Sequence, residues 1–179
     1  MRSTPLGRTS LVSLALVALL LTMSLGSSLR PSPAMASTIA AEPIPESGAQ
    51  LTAAVWRMAI GQAVVDAGET KLGAPYVYAA GGPNAFDCSG FTRWAWRQLG
   101  VELPHNSGAQ WASVEPIPLA ELQPGDLVFN WGSGGGEPGH VGLYVGDGIM
   151  IHSPNSSGVV RYDSIYWWTG ATTRAGRVQ

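Results

Sequence analysis

Residues 140–153, His140-Val141-Gly142-Leu143-Tyr144-Val145-Gly146-Asp147-Gly148-Ile149-Met150-Ile151-His152-Ser153, read as two strands joined by a tight turn. Gly146-Asp147-Gly148 between apolar, strand-forming residues is a strong hairpin signal. Its register decides where two of the chain's three histidines point. A two-residue turn at Asp147-Gly148 pairs Leu143 with His152 and sends His140 and His152 to opposite faces. A three-residue turn over Gly146-Asp147-Gly148 pairs Val145 with Ile149 and Gly142 with His152. The imidazoles then share a face as diagonal neighbours, because side chains alternate along a strand. Glycine opposite His152 also leaves room for both rings. A catalytic pair of histidines therefore calls for the three-residue turn.

Outward from the hairpin, strands are expected at Leu127–Trp131, behind the turn Pro124-Gly125-Asp126, at Val159–Tyr162 and at the C-terminus. Upstream the periodicity changes. Leu51, Ala54, Val55, Met58 and Ala59 form one apolar stripe of a helix that runs to Leu72, with a kink at Gly61 and a stop at Gly73 and Pro75. A second helix is expected from Cys88 to Leu99, with Phe91, Trp94, Ala95 and Leu99 inward, Arg93 and Arg97 solvated, and Gly100 closing it. Residues 74–86, rich in Gly, Pro and Asn, read as loop. Helices first and an antiparallel sheet afterwards define an α+β domain over residues 51–179.

The N-terminus has a different character. Arg2 and Arg8 precede an apolar run from Leu11 to Leu25, and Ala34-Met35-Ala36 offers the small-residue pattern of a cleavage site. The run is shorter than the roughly 20 residues that a bilayer core demands. Residues 1–36 are expected to be a cleaved export signal, with a retained anchor as the alternative, and residues 37–50 a flexible linker. Loss of residues 1–36 removes Arg2, Arg8 and Arg30 and no acid, leaving seven basic against twelve acidic side chains, a net charge of −5. That balance argues against nucleic acid or an anionic surface as the principal partner. The expected product is a secreted or cell-wall-associated monomer without stable membrane insertion.

The single cysteine of an exported chain is either an inert buried thiol or a reactive one. Cys88 follows Asp87, a favoured N-cap residue, so it falls at the first helical position. Unpaired N–H groups and the helix dipole there stabilise a thiolate and can receive an oxyanion. The expectation is a functional thiol with a lowered pKa, with His140 and His152 as its candidate partners, while His105, in a loop after Leu103-Pro104, is explained equally by surface exposure or by substrate contact. Zinc ligation by Cys88, His140 and His152 is the metallic alternative, but no Cys-x-x-Cys or His-Glu-x-x-His spacing supports it. No metal or other cofactor is expected.

Five segments in order carry a resemblance: Asp87-Cys88-Ser89-Gly90-Phe91, Leu103-Pro104, Pro124-Gly125-Asp126-Leu127-Val128-Phe129, His140 to Gly146, and Met150-Ile151-His152. Together they make the sequence resemble the NlpC/P60 family of bacterial cell-wall peptidases over residues 55–179. The resemblance implies a papain-like α+β fold with Cys88 as nucleophile, His140 as general base and acid, and His152 as the group that orients His140. It further implies that the Tyr76 hydroxyl assists the oxyanion, and that Asp87 and Ser89 contact the substrate. The implied activity is hydrolysis of peptidoglycan stem peptides at the γ-D-glutamyl to diamino-acid bond, through a Cys88 thioester. Cutting the sugar–peptide amide with the same triad, or binding muropeptides without cutting them, are the alternatives. Two places depart from the family pattern: Tyr78-Ala79-Ala80 stands for an aromatic-Gly-Gly, and His105 for an arginine after Leu-Pro. The Gly132–Gly139 loop, with its glycines and Pro138, is expected to border the cleft.

Overall fold

The computed structural model describes residues 46–155 and 158–179, all within one unit spanning Pro43–Gln179. The expected export signal and residues 37–45 of the expected linker lie outside the described residues. In chain order the elements are α1 (Glu46–Glu69), α2 (Cys88–Arg97), α3 (Ser107–Ala112), β1 (Glu115–Ile117), a 3-10 turn (Leu119–Glu121), β2 (Leu127–Trp131), β3 (His140–Gly146), β4 (Ile149–His152), β5 (Arg161–Ser164) and β6 (Thr172–Arg177). The six strands form one antiparallel sheet in the order β1-β6-β2-β3-β4-β5. The α+β architecture read from the sequence is the one observed. Both short elements after α2, the helix α3 and the edge strand β1, escaped the periodicity argument because neither is long enough to show a period.

Residues 46–50, expected in the linker, are helical, and α1 runs unbroken through Gly61 to Glu69. Its buried positions are Gly61, Val64, Val65 and Gly68. The expected stripe is instead solvated: Leu51, Val55 and Met58 are 69%, 67% and 55% exposed. The buried positions of α1 all fall from Gly61 onward, where Val64 and Val65 join the core, and the apolar stripe upstream is left uncovered. Gly61 is explained by approach rather than by a kink, since a Cβ there would stand 2.0 Å from the Pro124 carbonyl oxygen.

Helix α2 is buried nearly all round, Trp96 included, and ends at Arg97, so Leu99 falls in the following turn and is 40% exposed. Arg93 pairs with Glu102. One face of the sheet packs Leu127, Phe129, Val141, Leu143 and Ile151 against Val64, Val65, Phe91 and Trp94 of the helices. The other carries a smaller cluster of Val128, Met150 and Ile165, with Tyr144 and Trp167 against it.

The β3–β4 hairpin combines the two turns that the sequence offered. Gly146 pairs with Ile149, so the loop is the two-residue Asp147-Gly148 rather than the expected three-residue turn. Both loop residues have positive φ, 51° and 72°, as a type I′ turn requires. A bulge between Tyr144 and Gly146 then inserts one residue, and Tyr144 pairs with Met150 and Leu143 with Ile151. The inserted residue restores the register that a three-residue turn would have given. Gly142 therefore stands opposite His152, and a Cβ on it would meet Met150 Sδ at 2.6 Å and His152 Cβ at 3.1 Å.

Candidate active site

Asp87 is extended at φ −91° and ψ −178° and caps α2, its carboxylate accepting the Gly90 N–H at 2.6 Å. Cys88 is the first helical residue, and it is a free thiol. The Ser89 hydroxyl also donates to Asp87, at 3.1 Å, and His105 Nε2 stands 3.0 Å from both Asp87 oxygens. The carboxylate is thus held by three groups and is only 8% exposed. His105, ambiguous in the sequence, serves the cap of the cysteine helix.

Two contacts place that helix start against the hairpin. The Ser153 hydroxyl, one residue beyond His152, donates to the Phe86 carbonyl at 2.9 Å. Strand β4 stops at His152, while the Tyr144 N–H bonds to Asp126 on the β2 side. N–H groups alternate in direction along a strand, so the Val141 N–H points to the side that β4 has left. There it meets the Cys88 thiol, which also receives the N–H groups of Ser89 and of Cys88 itself.

The two imidazoles lie on one face, as the restored register demands. His140 Nε2 is 2.8 Å from His152 Nδ1, and His152 Nε2 is 2.9 Å from an Asp163 oxygen. Arg161 holds the same Asp163 oxygen at 2.6 Å. The chain of contacts fixes the tautomers. A carboxylate only accepts, so His152 donates from Nε2 and accepts at Nδ1, and His140 donates from Nε2. The lone pair of His140 is then on Nδ1, and His140 lines the same cavity as Cys88.

Burial governs the electrostatics. It lowers His140 to about 3, with His152 contributing, and His152 to about 4, partly offset by the hydrogen bond to Asp163. Burial also pushes the Cys88 thiol up, with the Asp87 carboxylate adding to it, against the pull of the three N–H groups. The lowered thiol pKa expected from the helix start is therefore not what the site has. The N–H groups are in place, but desolvation of the thiol outweighs them. The resting pair is a neutral thiol beside a neutral imidazole.

A cavity of about 350 Å³ lined by Tyr76, Cys88, Gly139, His140, Asn155, Trp167 and Trp168 opens onto this pair. A second, of about 270 Å³, brings Tyr76, Asp87, Cys88, Ser89 and His105 together. Five of the six residues singled out from the sequence line these two cavities, and the sixth, His152, is fully buried and reaches the site through His140. Burial, then Cys88 and Asp87, push the Tyr76 phenol up, so it remains an O–H donor beside the thiol. Sequence reasoning missed Asp163 and gave Trp167 no role beside the histidines. Trp167 packs edge-on to both imidazoles, at 5.2 Å from His140 and 4.9 Å from His152. Neither carries a local signal, since both act across strands. Among the described residues no group of His, Cys, Asp and Glu is arranged to hold a metal ion.

The site and the fold define a thiol–imidazole centre on an α+β scaffold, and comparison with known proteins assigns its family. The NlpC/P60 family model matches residues 73–177, and the chain belongs to that family. It is 50% identical over 97 residues to a probable endopeptidase of Corynebacterium glutamicum, across 54% of this chain and 44% of that one. The chain thus spans less than half the length of that relative. Among solved structures it is similar to the NlpC/P60 domain of the peptidoglycan hydrolase SagA, at 34% identity and a TM-score of 0.57, covering 64% of this chain and 96% of that one. It is also similar to RipD of Mycobacterium tuberculosis, described as a non-catalytic NlpC/P60 domain protein adapted to peptidoglycan binding (26% identity, TM-score 0.58, covering 67% and 98%).

Proposed function

We propose that this chain is a cysteine endopeptidase that hydrolyses peptidoglycan stem peptides at the γ-D-glutamyl to diamino-acid bond. The observation that carries the reading is the relay from Asp163 through His152 to His140, which ends in the cavity that His140 shares with Cys88, each imidazole being fixed as the tautomer the next step needs.

His140 Nδ1 takes the thiol proton as Cys88 Sγ attacks the peptide carbonyl. N–H groups at the start of α2 receive the oxyanion, with the Tyr76 hydroxyl as a further donor. The protonated His140 gives its proton to the leaving amine, and the thioester remains. His140 then draws a proton from water, which attacks the thioester and frees Cys88. His152 and Asp163 hold the imidazolium that forms in both halves. The non-catalytic reading, favoured by the similarity to RipD, is disfavoured by the presence of every group in this series.

The chain is further proposed to act after export, outside the cytoplasm. Muropeptides in which N-acetylmuramic acid carries a defined tripeptide or tetrapeptide stem, incubated with the protein, should yield by mass spectrometry a product ending in D-glutamate and one beginning with the diamino acid. Release of an intact stem from its sugar would instead favour the amidase.

A further inference from the structure

Beside the catalytic groove lies a separate cleft of about 460 Å³, floored by Trp111 and Trp131 and walled by Gly108, Glu137, Thr172 and Arg174. The Arg174 guanidinium lies over the Trp131 ring, 4.9 Å from its centre. That stacking fixes the fork of donors but uses none of its N–H groups, and no hydrogen bond or ion pair engages it among the described residues. Glu137 reaches in from the loop between β2 and β3, and its carboxylate is close to where a Gly108 Cβ would be. Although the two charges are opposite and line one cleft, they do not pair with each other among the described residues. The space between them is open to a ligand that carries both a carboxylate and an ammonium.

The cleft is also placed to serve the catalytic site. Arg174 pairs with Phe129, and Phe129 with Val141, whose N–H holds the thiol. Two strand spacings, about 10 Å, separate the Arg174 and Val141 backbones. The loop that supplies Glu137 and Pro138 to the cleft continues into Gly139, which lines both cavities around Cys88. The Ser107 hydroxyl of α3 fastens the Pro138 carbonyl at 2.7 Å.

We propose that this cleft binds a zwitterionic amino-acid head group, its carboxylate on Arg174 and its ammonium on Glu137. Resting on the function proposed above, the ligand is the distal end of a diamino-dicarboxylic residue on the leaving side of the scissile bond. Arg174 and Glu137 are then specificity residues that distinguish such a stem from one ending in a plain ammonium.

The test compares three stem peptides that differ only at this residue: the diamino-dicarboxylate, its distal amide, and lysine. The wild type should cut the first with kcat/KM on the order of tenfold above the other two, the usual worth of a charged hydrogen bond. Arg174→Gln should remove that preference by lowering kcat/KM for the first stem alone, while Glu137→Gln should lower it for all three. Equal kcat/KM of the wild type on the three stems, or an equal effect of Arg174→Gln on all of them, would overturn the assignment. Should the wild type cut no stem, the function proposed above falls. The cleft is then tested by titrating the wild type with free meso-diaminopimelate and following tryptophan fluorescence. A saturable change absent in Arg174→Gln sustains the site, and no saturable change overturns it.

Discussion

His140 Nε2 and His152 Nδ1 face each other at 2.8 Å across the β3–β4 pair, and Asp163 holds the far side of His152 at 2.9 Å. His140, which lines the Cys88 cavity, is thus the end of a relay whose polarity is set by a carboxylate on a third strand. Asp163→Asn should lower kcat by about tenfold or more while leaving KM within a factor of two, because the amide can present a donor where His152 also donates. Steady-state kinetics on a stem peptide check this. An unchanged kcat would show that Asp163 has no part in orienting the histidines.

Burial of the thiol outweighs the helix start, which bears on how Cys88 reacts at rest. Alkylation of the free protein by iodoacetamide, followed by intact mass across pH, should show a midpoint above the ordinary thiol range. A midpoint near pH 5 would mean a thiolate–imidazolium pair instead of the neutral one.

Both buried histidines are pushed well below the ordinary 6.5, His140 to about 3 and His152 to about 4. Below pH 6.5 the unfolded chain therefore binds protons that the folded one refuses. The stability present above pH 6.5 should be lost as pH falls towards those two values. Urea midpoints at pH 7, 5.5 and 4 should fall in that order, and less steeply in His152→Gln. A midpoint constant from pH 7 to 4 would contradict the burial of neutral imidazoles.

Gly142 gives the two rings their space. Gly142→Ala should cost about 1–3 kcal/mol of stability through the clash with Met150 and the His152 Cβ. It should also lower kcat by disturbing the His140–His152 contact. Denaturation and kinetics on the same preparation check both, and a fully active, fully stable variant would contradict the register described here.

The hairpin shows how far the sequence carries and where it stops. Alternation along the strands and the need for two histidines on one face demanded that Gly142 oppose His152, and it does. The means could not be read, because a three-residue turn and a two-residue turn with a bulge give the same register beyond Tyr144. Asp87 as cap and Cys88 at the first helical position were legible because capping is local. The raised thiol pKa was not, since it depends on how deeply the folded chain buries the sulfur. Asp163, Trp167 and the Asp87–His105 contact were hidden for the same reason: each joins residues distant in sequence. The exposed stripe of α1 shows the converse, an apolar period with no neighbour to bury it.

Cys88 is the proposed nucleophile, and the most direct measurement is turnover of a defined stem peptide by the wild type and by Cys88→Ala, with products identified by mass spectrometry. The wild type should release the γ-D-glutamyl product, and Cys88→Ala, folded as judged by circular dichroism, should release none above the uncatalysed background. Equal product from the two proteins would contradict the account.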